Sequence, residues 1–177
     1  MFIGIQTRRQ RRLLWATPLL FAALWVAYIV SAMRAPDGRI ATALDWGVLT
    51  GGLDSVVAWR TAMADGSVLR LVSGLFLHAD WIHLLGNLVF LLIFGLPAER
   101  TMGGRRFLLL FLLGGAVANL AAVLAIGAPD RVVIGASGAV SALIGAYLAL
   151  FPGARLGVVL PLGLFLEFVR VPAFLLI

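Results

Sequence analysis

Four long uncharged stretches divide this chain, and they constrain its fold more strongly than any other feature of the sequence. They cover residues 13–33, 81–98, 107–129 and 132–152. A helix needs about 20 apolar residues to cross a bilayer, and each stretch is close to that length. The chain is 62% hydrophobic and 12% charged, whereas about 25% of the residues in a soluble domain are charged. The sequence therefore predicts one domain of the all-α class, a polytopic transmembrane helical bundle.

The arginines indicate how these spans are oriented. All 14 basic residues are Arg, and they are dispersed between the apolar stretches, so the net charge of +6 indicates topology and not nucleic-acid binding. Residues 1–12 carry four of them and are expected to form a basic cytoplasmic N-terminus. The charges of residues 34–77 cancel, which favours an outer loop, while the Arg-rich stretch 99–106 favours the cytoplasmic side. The second and fourth spans then both begin at the outer face.

Few side chains in these spans can do chemistry. The chain has no Cys, which excludes thiol catalysis, disulfides and Cys-based metal sites. Both histidines fall in one motif, His78-Ala-Asp-Trp-Ile-His83-Leu-Leu-Gly-Asn87, at the outer end of the second span. Polar groups inside a membrane are costly and usually functional. A metal site formed by His78 and His83 is disfavoured, because their spacing splays them and Asp80 is the only carboxylate nearby.

A serine between small residues lies near the start of the fourth span, in Gly135-Ala136-Ser137-Gly138. Small residues of this kind usually allow membrane helices to approach closely, and Ser141 with Gly145 forms another such pair. The alternative is that Ser137 is a nucleophile whose hydroxyl its small neighbours leave uncrowded. The serine motif alone favours a role in helix packing. The presence of the histidine motif favours the alternative that Ser137 is catalytic.

Spacing places the two motifs in one shallow layer of the membrane. Ser137 lies six residues after the charge that precedes its span, and Asn87 lies seven residues after the corresponding charge. At about 1.5 Å per residue, both lie roughly 9–10 Å into the membrane, and His83 lies about 4–5 Å in. His83 and Asn87 share one helix face, as suits two donors to a developing oxyanion. Interhelical hydrogen bonding without catalysis remains the alternative for this pair. His78 lies about 140° away on a helical wheel, which predicts a place at the rim.

Together these motifs resemble the rhomboid family of intramembrane serine proteases. His78-x4-His83-x3-Asn87 is similar to the signature of the family's second helix, and Gly135-Ala136-Ser137-Gly138 is similar to its nucleophile motif. Glu99-Arg100-x-x-Gly103 resembles its short cytoplasmic motif. Arg70 stands where the arginine of the family's Trp-Arg pair is expected, with Leu69 in place of the Trp.

The resemblance implies a bundle of at least six spans with a water-filled cavity open to the outer side. Ser137 would be the nucleophile that cleaves transmembrane segments of membrane-protein substrates near the outer face, and Gly135 and Gly138 would complete its motif. His83, Asn87 and the backbone N–H of Ser137 would hold the oxyanion.

The remaining motif residues would be structural: His78, Arg70, Glu99 and Gly103. No cofactor or metal is implied. The expected partners are membrane lipids and transmembrane protein substrates, and the expected place is a bacterial plasma membrane.

The general base of the family is a His in a Gly-x-x-x-Ala-His-type motif on the sixth helix, and this sequence has no third His. We therefore expect the 177 residues to be inactive alone and truncated before the sixth helix. Residues 156–177 would be a partial fifth segment, with a helix beginning at Val171. The alternative is a catalytically inactive rhomboid-like protein that binds transmembrane segments. A transporter or channel is disfavoured, because its polar groups are expected near the midplane.

Overall fold

Helices make up most of the computed structural model, which describes residues 13–50, 53, 55–126, 131–162 and 165–175. This confirms the predicted all-α class. The basic segment 1–12 lies outside the described residues. The first helix, α1, extends over Ala16–Ala32 and has no capping side chain of its own at its start.

Glu99 caps α1 from a distant part of the chain. Its carboxylate accepts hydrogen bonds from the backbone N–H groups of Trp15, Ala16 and Thr17, each at 2.8 Å. The first N–H groups of a helix have no partner within the helix, and a negative charge at that end is stabilised by the helix dipole. Because the Glu99 side chain is fully buried, this contact fixes the first helix to the end of the second span.

Residues 34–77, predicted to be an outer loop, contain short helices joined by turns. In chain order, the elements of this segment are the helix α2 (Pro36–Trp46), the strand β1 (Val48–Leu49), the helix α3 (Val56–Ala64), a 3-10 turn (Ser67–Leu69), the helix α4 (Arg70–Ser73) and a second 3-10 turn (Gly74–Phe76). The side chain of Ser55 caps α3 by accepting the Ala58 N–H at 3.1 Å.

Two continuous helices in the described part of the chain are long and apolar enough to cross a membrane. One begins at Trp81, as predicted, and consists of α5 (Trp81–Phe90), a π-helical turn (Leu91–Gly95) and α6 (Leu96–Met102). The other is α7 (Gly104–Ala125). The π-helical turn ends two residues before Pro97, which has no backbone N–H to donate to the carbonyl of the preceding turn.

The helix of the fourth span, α8, extends over Ser137–Leu150 and begins later than the predicted start of that span at residue 132. Val132–Val133 instead forms strand β2, which pairs antiparallel with β1 of the outer loop. Gly135 then adopts a φ of +119°, which only glycine adopts readily and which separates the strand from the helix. The outer loop is thereby joined by backbone hydrogen bonds to the segment that leads into Ser137.

Small residues bring α7 and α8 together. A Cβ atom added to Gly114 would lie 2.5 Å from the Cβ of Ala142, and one added to Gly138 would overlap the Cβ of Ala118. No larger side chain fits at these crossings, as expected for closely packed membrane helices. The apolar core between α1, α5, α7 and α8 includes the fully buried Phe111.

The end of the described chain differs from the prediction of a helix beginning at Val171. Strand β3 (Arg155–Leu162) pairs antiparallel with β4 (Phe165–Pro172), and a 3-10 turn follows at Ala173–Leu175. Prolines at 161 and 172 cannot donate in a helix, and the Val- and Phe-rich sequence between them has high strand propensity. The hairpin therefore replaces the expected helical start within this segment.

Candidate active site

The histidine motif is held by the start of α5. Asp80 is the N-cap of this helix, and its side chain accepts the backbone N–H of His83 at 2.8 Å. This cap fixes the first turn, so that His83 and Asn87 follow one above the other on the helix. Asn87 is buried and His83 is half-buried.

Ser137 is the first residue of α8, and the residue before it, Ala136, is the N-cap. The Ser137 side chain is exposed, and its hydroxyl has no hydrogen-bond partner among the described residues. The N–H groups of the first helical turn lack partners within the helix, and the helix dipole makes this end electropositive. Ser137 is thus an accessible hydroxyl beside unpaired N–H groups.

The structure brings the two motifs into contact. The ring of His83 covers Gly135, because a Cβ added there would lie 2.7 Å from Cε1 of His83. The backbone N–H of Ala136 donates to Nε2 of His78 at 3.4 Å, and Nδ2 of Asn87 lies 3.0 Å from the same nitrogen. The side chains of the histidine motif therefore meet the two residues that immediately precede Ser137.

The prediction that His78 stays at the rim is wrong. His78 is only 4% exposed, and its ring lies edge-on to that of His83 with the centroids 5.3 Å apart. The helical wheel misplaced it because α5 begins at Trp81, whereas the residue before His78, Leu77, has an extended backbone with ψ of 141°. His78 precedes the helix and turns back into the bundle.

The contacts of His78 define its protonation state. Burial, with a smaller contribution from the neighbouring His83, lowers the pKa of His78 from 6.5 to about 4. The ring is therefore neutral at physiological pH. Since a backbone N–H can only donate, the bond from Ala136 makes Nε2 the acceptor and assigns the proton to Nδ1. Nδ1 is buried.

The other predicted motif residues lie away from this contact. Arg70 donates from Nη1 to the carbonyl of Leu44 at 3.2 Å, which joins α4 to the last turns of α2. Gly103 has a φ of +86° and separates α6 from α7, so its place in the motif requires glycine. No cluster of metal-ligating side chains occurs in the described residues.

A cavity of about 300 Å³ opens beside His78. It lies between α2 and the segment before α5, and Leu77, Ala79 and Ile134 also line it. Arg39 of α2 crosses to this segment and donates to the carbonyl of Ala79 at 3.0 Å. The outer loop therefore forms one wall of a space next to the site.

Two residues at the site had no place in the sequence interpretation. The carbonyl of Gly74 accepts the N–H of Gly135 at 2.8 Å, and Asn119 of α7 donates from Nδ2 to the carbonyl of Leu71 at 2.9 Å. Asn119 could have been identified from the sequence, because it is a single amide side chain in an apolar span. Nothing in the sequence distinguishes Gly74 from the other glycines.

Comparisons with known proteins give one consistent family. Residues 65–177 match the family described as "Rhomboid domain". The chain is 36% identical over 96 residues to YdcA, a rhomboid protein of Bacillus subtilis, and this alignment covers 54% of the chain and 47% of that protein. It is 37% identical over 92 residues to Rhomboid-like protease 3 of Toxoplasma gondii, covering 52% of the chain and 34% of that protein.

A mouse protein, Rhomboid-related protein 2, is 37% identical over 129 residues, covering 73% of the chain and 40% of that protein. The matched region thus spans less than half the length of each of these relatives. No solved structure matches the chain.

Proposed function

This chain belongs to the rhomboid family of membrane-embedded proteases, and we propose that it is part of a serine endopeptidase that cleaves transmembrane segments near the outer face of the membrane. Ser137 is the nucleophile in this proposal. The observation that carries it is the contact of His78 and His83 with the backbone before Ser137, together with the hydrogen bond between Asn87 and His78. Polar side chains inside a membrane are costly and usually functional, which favours a catalytic role for Ser137 over helix packing alone.

The oxyanion would be held at the start of α8. Attack by Ser137 on a carbonyl carbon moves negative charge onto the carbonyl oxygen, and donors already fixed in place stabilise it. The Ser137 N–H lies in the unpaired first turn of the helix. Asn87 has two N–H groups, of which one is directed at His78, so the second is available to the oxyanion. His83, half-buried above Gly135, supplies the third donor.

The base that takes the Ser137 proton is the part of the mechanism that these residues do not supply. The acceptor nitrogen of His78 already receives the Ala136 N–H, and its lowered pKa makes it a weak base. Ser137, Ser141 and Gly145 are exposed along one face of α8. A neighbouring helix that packs on this face of small residues could bring a histidine to Ser137.

The same observation favours a second candidate, a rhomboid-like protein that binds transmembrane segments without cleaving them. It would use the cavity beside His78 and would leave Ser137 unreactive. Cleavage of a transmembrane substrate by the full-length natural protein distinguishes the two functions.

We expect Asn87→Ala to lower kcat about 10²-fold in that cleavage assay, because one fixed oxyanion donor is lost. KM should change little, since this donor acts mainly in the transition state. Leu88→Ala is the matched control, because Leu88 is the next residue, is 1% exposed and has no polar group. Equal losses of kcat in the two variants would show a structural role for Asn87 and contradict the donor assignment.

The proposed topology places the outer loop outside and the turn between α6 and α7 in the cytoplasm, in a bacterial plasma membrane with a cytoplasmic N-terminus. The chain has no Cys, so single cysteines report their own position. A membrane-impermeant maleimide added to intact cells should label Val57→Cys, in the exposed part of α3, and should not label Arg105→Cys, which is exposed at the start of α7. Labelling of Arg105→Cys from outside would invert the topology and put Ser137 at the wrong face.

A further inference from the structure

We propose that Asn119 is a positioning residue for Ser137, acting through the turn at Leu71–Gly74 and the backbone of Gly135. Nothing in the chemistry assigned above uses Asn119. It lies in the apolar helix α7 and is only 4% exposed. This inference rests on the proposed function insofar as it concerns catalysis.

The first link joins α7 to the turn. Nδ2 of Asn119 donates to the backbone carbonyl of Leu71 at 2.9 Å, and the contact is buried. Leu71 lies in α4, immediately before the chain changes to the 3-10 turn Gly74–Phe76. The hydrogen bond from the Asn119 amide fixes the position of the turn along the axis of α7.

The second link joins the turn to the serine motif. The carbonyl of Gly74 accepts the Gly135 N–H at 2.8 Å. Gly74 also lies in a confined place, because a Cβ added to it would be 3.3 Å from the carbonyl oxygen of Val133 and 3.7 Å from Nδ2 of Asn119. The amide of Asn119, the turn and the strand before Gly135 are therefore packed directly on one another.

The third link is the dependence of Ser137 on this backbone. Its hydroxyl has no hydrogen bond to a described residue, so the backbone sets its position. The body of α8 is fixed by its small-residue contacts with α7, and the bond to Gly74 is one of the contacts that hold the bend at Gly135. Loss of the Asn119 donor would let the turn move, and the nucleophile and the oxyanion N–H would move with it. A displacement of about 1 Å in such a site can cost about 10²-fold in rate.

The test compares Asn119→Leu with Phe107→Leu in the full-length natural protein in detergent. Phe107 is fully buried near the other end of α7, so its truncation weakens the same helix far from the turn. Hydrogen–deuterium exchange at the Gly135 amide and the kinetics of substrate cleavage are measured together. We expect Asn119→Leu to speed exchange at Gly135 at least about tenfold and to lower kcat about 10- to 100-fold, with KM within about twofold of the parent value.

Phe107→Leu, at a comparable loss of thermal stability, should leave both the Gly135 amide and kcat near the parent values. Unchanged exchange at Gly135 in Asn119→Leu, or an equal loss of kcat in the two variants, would overturn the proposal. The exchange measurement needs no activity. If the protein cleaved no substrate, the proposed function would be refuted. The exchange rate at the Gly135 amide would still show whether Asn119 holds Gly135 in place.

Discussion

Ser137→Ala should abolish cleavage of a transmembrane substrate by the full-length natural protein, with kcat lowered by about 10⁴-fold or more. The reason is chemical, since the hydroxyl oxygen forms the bond to the substrate carbonyl and alanine has no atom to replace it. The fold should survive the change. Ser137 is exposed and its hydroxyl bonds to no described residue, so the melting temperature should stay within a few degrees of the parent.

Ser141 offers a matched control for this prediction. It is one turn further along α8 and is also exposed, so Ser141→Ala removes the same atom from the same helix face. We expect Ser141→Ala to keep most of the parent kcat. Persistent cleavage by Ser137→Ala, or an equal loss in both variants, would remove Ser137 from the mechanism and leave the packing interpretation of the serine motif.

The second large effect concerns stability. Glu99→Ala should lower the free energy of unfolding by about 3 kcal/mol or more, because it leaves several N–H groups of the first helical turn without an acceptor. The Glu99 carboxylate accepts from Trp15, Ala16 and Thr17 at 2.8 Å. Glu99→Gln should lower the free energy of unfolding by less, because the remaining side-chain oxygen still accepts hydrogen bonds. Some loss should remain, because the new NH₂ group faces a backbone N–H donor.

Thermal or denaturant unfolding in detergent measures this effect, with Arg100→Ala as the control. Arg100 is the next residue and is exposed, so its removal should change stability by no more than about 0.5 kcal/mol. If Glu99→Ala were no more destabilising than Arg100→Ala, the carboxylate would not be the structural cap of α1.

Hydropathy and charge were sufficient to predict the helical class and the start of the second span at Trp81. These features depend on the bilayer as a solvent, which acts on each segment separately. The proximity of His83 to the serine motif could also be anticipated, because a span that begins at a known face has a known depth at each residue. The roles of His83, Asn87 and Ser137 in catalysis remain predictions.

What the sequence could not predict depends on contacts between segments that are far apart in the chain. His78 was placed by a helical wheel although it precedes the helix, and its burial results from the extended backbone at Leu77. The late start of α8 follows from the pairing of β2 with β1, which joins residues about 80 positions apart and has no local signal. Gly74 and Asn119 are likewise identified only by their partners.

The reactivity of Ser137 itself tests the central claim most directly. The full-length natural protein, folded in detergent, is treated with a fluorophosphonate and the modified residue is identified by mass spectrometry of its peptides. An activated nucleophile at the start of α8 predicts one phosphonyl adduct, on Ser137, and no adduct in Ser137→Ala. An unmodified Ser137, or an adduct on another serine that persists in Ser137→Ala, would contradict the account.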